Sequence, residues 1–130
     1  MIRTISSISA CLALMSQVAN GDEIRRTAFA DGLLGTWALT TQQCEAADKQ
    51  GIVISKAKYV YGDDSCSVGW IVETAAPAGT NYAVHALCAD TSQPAKTRTV
   101  NLIIRPGGND RILVGTAFDD LKPFERCPTR

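Results

Sequence analysis

The sequence has a single histidine, His85, in 130 residues. That scarcity excludes metal centres built from several imidazoles. Neither sign of charge is in surplus, since 13 Lys and Arg stand against 13 Asp and Glu. A nucleic-acid footprint needs clustered cations, and so does a polybasic patch that docks on a membrane surface. Neither partner is expected. There is no internal repeat and no low-complexity tract. No Gly-X-Ser-X-Gly elbow presents a nucleophilic serine, and no Asp-X-Asp-X-Asp-Gly loop presents a calcium site. No uncharged run reaches the roughly 20 apolar residues that cross a bilayer as a helix. What is present is a hydrophobic content of 45%, enough to supply a core, on a chain long enough for one domain.

The first residues read as an address. Met1–Thr4 is short and carries one positive charge, Arg3. Ile5 to Val18 is mostly small and apolar and carries none, and Ala19–Asn20–Gly21 sets small residues around a cleavage point. This is the pattern of a secretory signal peptide over residues 1–21. Cleavage is expected after Gly21, or else after Ala19. Ile8–Ser9–Ala10–Cys11 resembles the lipobox of bacterial lipoproteins. The best apolar stretch, Cys11–Met15, follows that cysteine rather than preceding it, so a lipid anchor is the lesser alternative. Without residues 1–21 the chain loses Arg3 and Cys11, which leaves a net charge of −1 and four cysteines. An even number of cysteines in a small exported chain implies a disulfide framework. Leader and cysteine parity agree on a periplasmic or extracellular destination.

Residues 22–34 hold the one helical pattern. Ile24, Ala28 and Leu33 or Leu34 fall near helical spacing behind acidic residues, so a short helix or an irregular arm is expected there. From Gly35 to the end, over residues 35–130, strand and turn signals take over. Gly35–Thr41 sets Trp37 and Leu39 on one face. Gly51–Tyr61 is rich in β-branched and aromatic residues. Cys66, Val68, Trp70 and Val72 alternate, as do Tyr82, Val84, Ala86 and Cys88. Val100, Leu102 and Ile104 point one way, followed by a turn at Pro106–Asn109 and then Ile112 and Val114. After Ala117, Pro123 and Pro128 are expected to limit pairing. Six to eight short strands without crossover helices predict an all-β fold, an antiparallel barrel or sandwich.

Strand alternation selects among the three ways of joining four cysteines. If Val72 faces Tyr82 across a hairpin, then Trp70 faces Val84, Val68 faces Ala86 and Cys66 faces Cys88. Directly opposed residues have Cβ atoms about 4.5–5.5 Å apart, close to what a disulfide requires. The predicted bonds are Cys66–Cys88 and, by subtraction, Cys44–Cys127. Each stabilises the fold by about 3–5 kcal/mol on a chain-entropy model. The spacings are too wide for the paired ligands of a zinc site, so no metal and no cofactor is expected.

Gly35–Thr36–Trp37, behind a short N-terminal segment, is similar to the Gly-X-Trp start of lipocalin-like barrels. The order of Trp37, Cys44, Cys66, Cys88 and Cys127 among the strands resembles a group of small exported bacterial proteins. More distantly, it resembles the small eight-stranded barrels of bacterial metalloprotease inhibitors. The resemblance implies a barrel with Gly35 and Trp37 at one end and either a protein target or an apolar ligand. Independently of any family, Trp37 and Trp70 are both expected in the core, because large rings are mostly buried.

The search for chemistry finds little. His85 is out of phase with Val84 and Ala86, so it faces outward or into a second layer, with no nucleophile assigned to it. Asp63–Asp64 follows Gly62 and reads as turn chemistry. Asp119–Asp120 is a second acidic pair, and carboxylates of a glycosidase need not be neighbours in sequence. Arg25–Arg26 reads as a small solvated basic patch. Gly107–Gly108 precedes no helix and makes no phosphate cradle. No catalytic residue is expected. The expected function is that of an exported, non-enzymatic binding protein acting on another protein, such as a hydrolase or an envelope component. The alternatives are a carrier of small apolar ligands and, more remotely, a carboxylate hydrolase.

Overall fold

The structure, a computed structural model, describes residues 23–77 and 79–128, and the expected leader over residues 1–21 lies outside the described residues. The described chain forms nine strands: β1 (Glu23–Arg26), β2 (Gly35–Ala38), β3 (Ile52–Ile54), β4 (Lys58–Tyr61), β5 (Asp64–Ala76), β6 (Gly79–Asp90), β7 (Gln93–Gly108), β8 (Arg111–Gly115) and β9 (Lys122–Arg126). From β2 to β9 each strand pairs antiparallel with the next, and β9 pairs back onto β2. The result is a closed eight-stranded up-and-down barrel with β1 added outside the ring. Of the two expected architectures, the barrel is the one formed.

The interior follows from alternation. Trp37, Ile52, Ile54, Tyr59, Ile71, Val84, Ala86, Leu102, Ile104, Ile112, Val114 and Phe124 are buried in one cluster, together with Phe29 and Leu33 from the N-terminal segment. No polar or charged residue is buried among those described. An eight-stranded ring has an interior just wide enough for such side chains to fill. Both predicted disulfides are present. Cys44 joins Cys127 with Cα atoms 5.6 Å apart, and Cys66 joins Cys88 with Cα atoms 4.0 Å apart.

Several expectations are corrected. Of the segment 22–34 where a short helix or irregular arm was expected, the described residues 23–34 form no α-helix. Glu23–Arg26 is a strand, followed by a single 3-10 turn at Asp31–Leu33. β5 runs past the end of β4, and β1 covers the exposed stretch, from Glu23 opposite Thr74 to Arg26 opposite Ile71. A backbone edge in need of partners overrides a weak helical spacing. The run Gly51–Tyr61 is two strands, turned at Ser55–Ala57, where the Ser55 N–H donates to the Lys58 carbonyl at 2.9 Å. Leu39 does not share the inward face with Trp37. β2 ends at Ala38, and Leu39 is 42% exposed where the chain leaves for the 3-10 segment Thr41–Ala46 and α1 (Ala47–Gln50).

The tail pairs more than its prolines suggest, because β9 is the strand that closes the ring. Pro123 is tolerated there because the β2 pairing reaches only Glu125, opposite Ala38. The turn after β7 is carried by Asn109 and Asp110, both left-handed at φ 48° and 56°. A two-residue hairpin loop needs that conformation to match the strand twist.

The β5–β6 ladder holds the largest correction. Cys66 faces Cys88 and Val68 faces Ala86, as predicted. The pairing then shifts, so that Trp70 faces His85, Ile71 faces Val84 and Glu73 faces Tyr82. Gly69 is the extra residue of a β-bulge, and a bulge reverses the side-chain phase of everything beyond it. Ile71 is therefore fully buried, and Trp70, expected in the core, stands on the outer wall, 40% exposed.

Candidate functional site

The end of the barrel that holds Gly35 and Trp37 is a knot of aromatic, cationic and backbone groups. Gly35 has φ 126°, in the left-handed range that only glycine occupies without strain. This lets the chain turn from Leu34 into β2. The Trp37 ring is buried, and its indole N–H donates to the Leu33 carbonyl at 3.1 Å. The Arg126 guanidinium lies over that ring, 4.2 Å from its centroid. It also donates to the Leu34 carbonyl at 3.0 Å and to the Gly32 carbonyl, and it meets Asp110 at 3.4 Å. One side chain from the last strand thus ties the N-terminal turn, the first barrel strand and the β7–β8 turn. Beside it, the Cys127 N–H donates to the Thr36 carbonyl at 2.8 Å. These residues are satisfied by one another, which makes this end a structural closure. Arg126 carried no signal in the sequence beyond its place next to Cys127.

On the outer wall, Trp70 and His85 stack, with ring centroids 4.5 Å apart and planes 22° from parallel. The Arg25 guanidinium lies 5.2 Å from the Trp70 ring. Trp70 sits on β5, between β1 and β6, so the stack bridges three strands. His85 does face outward, as its phase implied, but it is partly covered by the indole. Arg25–Arg26 is not merely solvated. Arg25 meets Trp70, and the Arg26 Nε meets Glu73 at 2.9 Å. A shallow hollow of about 790 Å³ lies between this arm and the barrel rim, lined by Arg25, Arg26, Phe29, Asp31, Glu73 and Tyr82 among others. Burial and then the Glu73 charge push the Tyr82 phenol above its ordinary pKa. Gly69 is the sequence signal that could have placed Trp70 outside, since a lone glycine in an alternating strand marks a bulge.

At the opposite end, Asp64 binds Arg98 across from the Cys66–Cys88 bond. Tyr59 is buried there, with its hydroxyl 3.6 Å from the Cys88 sulfur. Burial first, and then the Asp64 charge, raise its phenol to about 12, against a smaller opposing effect of Arg98. Asp63 contributes its backbone carbonyl to the Thr91 N–H, while Asp119 and Asp120 lie exposed in the turn before β9. Asp64 lines a hollow with Tyr61, Lys122 and Phe124, and the Asp120 charge also reaches the Tyr61 phenol. Among the described residues, no three His, Cys, Asp or Glu side chains gather as a metal site. No described helix is long and apolar enough to cross a membrane.

The long β7 outruns its neighbour β8. Its edge toward β8 is paired only from Ile103 to Gly108. Before that point, Gln93–Thr99 is exposed throughout. Comparison with protein-family models, with curated proteins and with solved structures finds no match to this chain.

Proposed function

We propose that the chain is an exported, non-catalytic binding protein that acts by occupying another protein, as an inhibitor of a hydrolase or an accessory factor of an envelope component. The observation that carries this reading is the filled interior. With Ile71, Leu102, Ile104 and Val114 packed at the centre of the ring, whatever the molecule recognises has to meet its outer surface. Export is supported by the leader pattern of residues 1–21 and by the pairing of all four remaining cysteines, since such bonds persist in oxidising compartments.

The kinship with lipocalin-like and inhibitor barrels belongs to the same proposal. Up-and-down closure of eight strands is the architecture lipocalins use, and Gly35–Thr36–Trp37 opens the first barrel strand here. The test is titration of the purified protein against secreted metalloproteases and lysozymes, with activity and direct binding both recorded. Stoichiometric, saturable loss of one activity is expected. Neither inhibition nor binding across the panel would remove the hydrolase reading.

A further inference from the structure

β5 and β7 both outrun a shorter neighbour. Past the end of β4, the edge of β5 is covered by β1. Past the end of β8, the edge of β7 has no backbone partner among the described residues. The orientation of that edge follows from the ladder. Cys66 and Cys88 oppose each other with Cα atoms 4.0 Å apart, the close spacing of a pair that exchanges no hydrogen bonds. In agreement, the Val68 N–H, two residues along, donates away from β6 to the Ala57 carbonyl. Cys88 therefore turns its N–H and C=O toward β7, where it faces Arg98. Arg98, Val100 and Leu102 bond to β6, which leaves the N–H and C=O groups of Thr97, Thr99 and Asn101 aimed at the open side. Such a row is a template for another strand.

We propose that this open edge of β7 is a strand-addition site for an extended peptide bearing acidic residues at alternate positions. The proposal rests on the protein-binding reading above and names the surface and the chemistry of the partner. Alternation places Arg98 and Val100 on one face and Thr97, Thr99 and Asn101 on the other, while Lys96 stands at the irregularity that ends regular pairing with β6, where Ala89 faces Thr97 and Asp90 faces Gln93. Cross-strand pairs are favourable between opposite charges and unfavourable between like ones. An added strand is therefore selected for an acidic group opposite Arg98, a second within reach of the exposed Lys96, and an apolar group opposite Val100. Arg98 already shares the Asp64 carboxylate, whereas Lys96 is exposed and has no ion-pair partner among those described. The same cations discourage a second copy, because two-fold pairing centred on Thr97 would set Lys96 against the other copy's Arg98. β1 on β5 is the same kind of addition made within the chain.

The probe is the capped peptide acetyl-Thr-Val-Thr-Glu-Thr-Glu-Thr-amide, titrated into nitrogen-15-labelled protein, with the Lys-for-Glu peptide as its control. The amides of Thr97, Thr99 and Asn101 are expected to shift saturably and to gain protection from hydrogen exchange. The control peptide is expected to bind about tenfold more weakly, from the reversal of two cross-strand charge pairs. Thr99→Pro removes one outward N–H and leaves the β6 ladder intact, a place where strands tolerate proline. It is expected to abolish binding while the Ala86 and Cys88 amides stay protected. Lys96→Glu, at an exposed position, is expected to weaken the acidic peptide and strengthen the control. Three results would overturn the proposal: no saturable shift at these amides, equal affinity for both peptides, or concentration-dependent protection without peptide, which would assign the edge to a second copy. These outcomes are read without any hydrolase, so they stand apart from failure of the inhibition assay.

Discussion

Arg126 concentrates more contacts than any other polar side chain described at the closed end of the barrel. Its cation lies over Trp37, its N–H groups cap two carbonyls of the N-terminal turn, and it meets Asp110. Hydrogen bonds from a charged group and a partly desolvated cation–π contact each contribute on the order of 1–3 kcal/mol. Arg126→Ala is expected to lower stability by about 2–3 kcal/mol in denaturant titrations, with the Trp37 fluorescence transition moving in step. Arg126→Lys should recover little, because a point charge cannot reproduce the planar fork. The tyrosines give a second residue-level expectation. Tyr59, Tyr61 and Tyr82 all have raised pKa values, in each case chiefly through burial, and Tyr59 is raised from 10.0 to about 12. A raised phenol favours the neutral form in the folded state, so the stability it contributes is complete below pH 10 and is lost as pH climbs toward 12. Denaturation midpoints followed together with tyrosinate absorbance should fall across that window. A flat profile would show that these rings titrate as they do in the unfolded chain.

Among the elements, β5 decides most. Deleting Gly69 removes the bulge, drives Trp70 toward the interior and turns Ile71 outward. The lost burial of Ile71 and the overpacking by an indole together should cost about 3 kcal/mol or more, read as a drop in the thermal midpoint or as failure to fold. If the deletion variant were as stable as the parent, the described phase of β5 would be wrong. The same strand shows how far the sequence could be read. Up to Val68 the alternation was legible, and it carried the Cys66–Cys88 bond and, through it, Cys44–Cys127. Beyond Gly69 the inference failed, because a single unpaired residue changes the face of everything downstream. β1 was illegible for a different reason. Its four residues have no intrinsic strand pattern, and only the bare edge of β5 makes a strand of them. The closing role of β9 was hidden by Pro123, whose place beyond the β2 pairing becomes visible only once the ring is closed. The Arg25–Trp70–His85 stack depends on both the bulge and β1, so no local motif announced it.

For the whole molecule, closure and filling are one statement. Eight strands, short and long, surround the main apolar cluster, a small second cluster gathers Ala38, Ala47 and Cys127, two disulfides brace the ring, and in the proposed reading the surface is left as the place of recognition. A carrier of apolar ligands would need the opposite, a ring whose inward residues leave a chamber. The measurement that separates the two most directly is a titration of methyl-labelled protein with lauric acid below its micellar concentration. The account predicts no saturable shift at the inward methyl groups of Ile71, Leu102, Ile104 and Val114, with any change confined to the outer wall. Saturable shifts at those four residues, with the fatty acid excluded from bulk water, would contradict it and return the interior to a ligand.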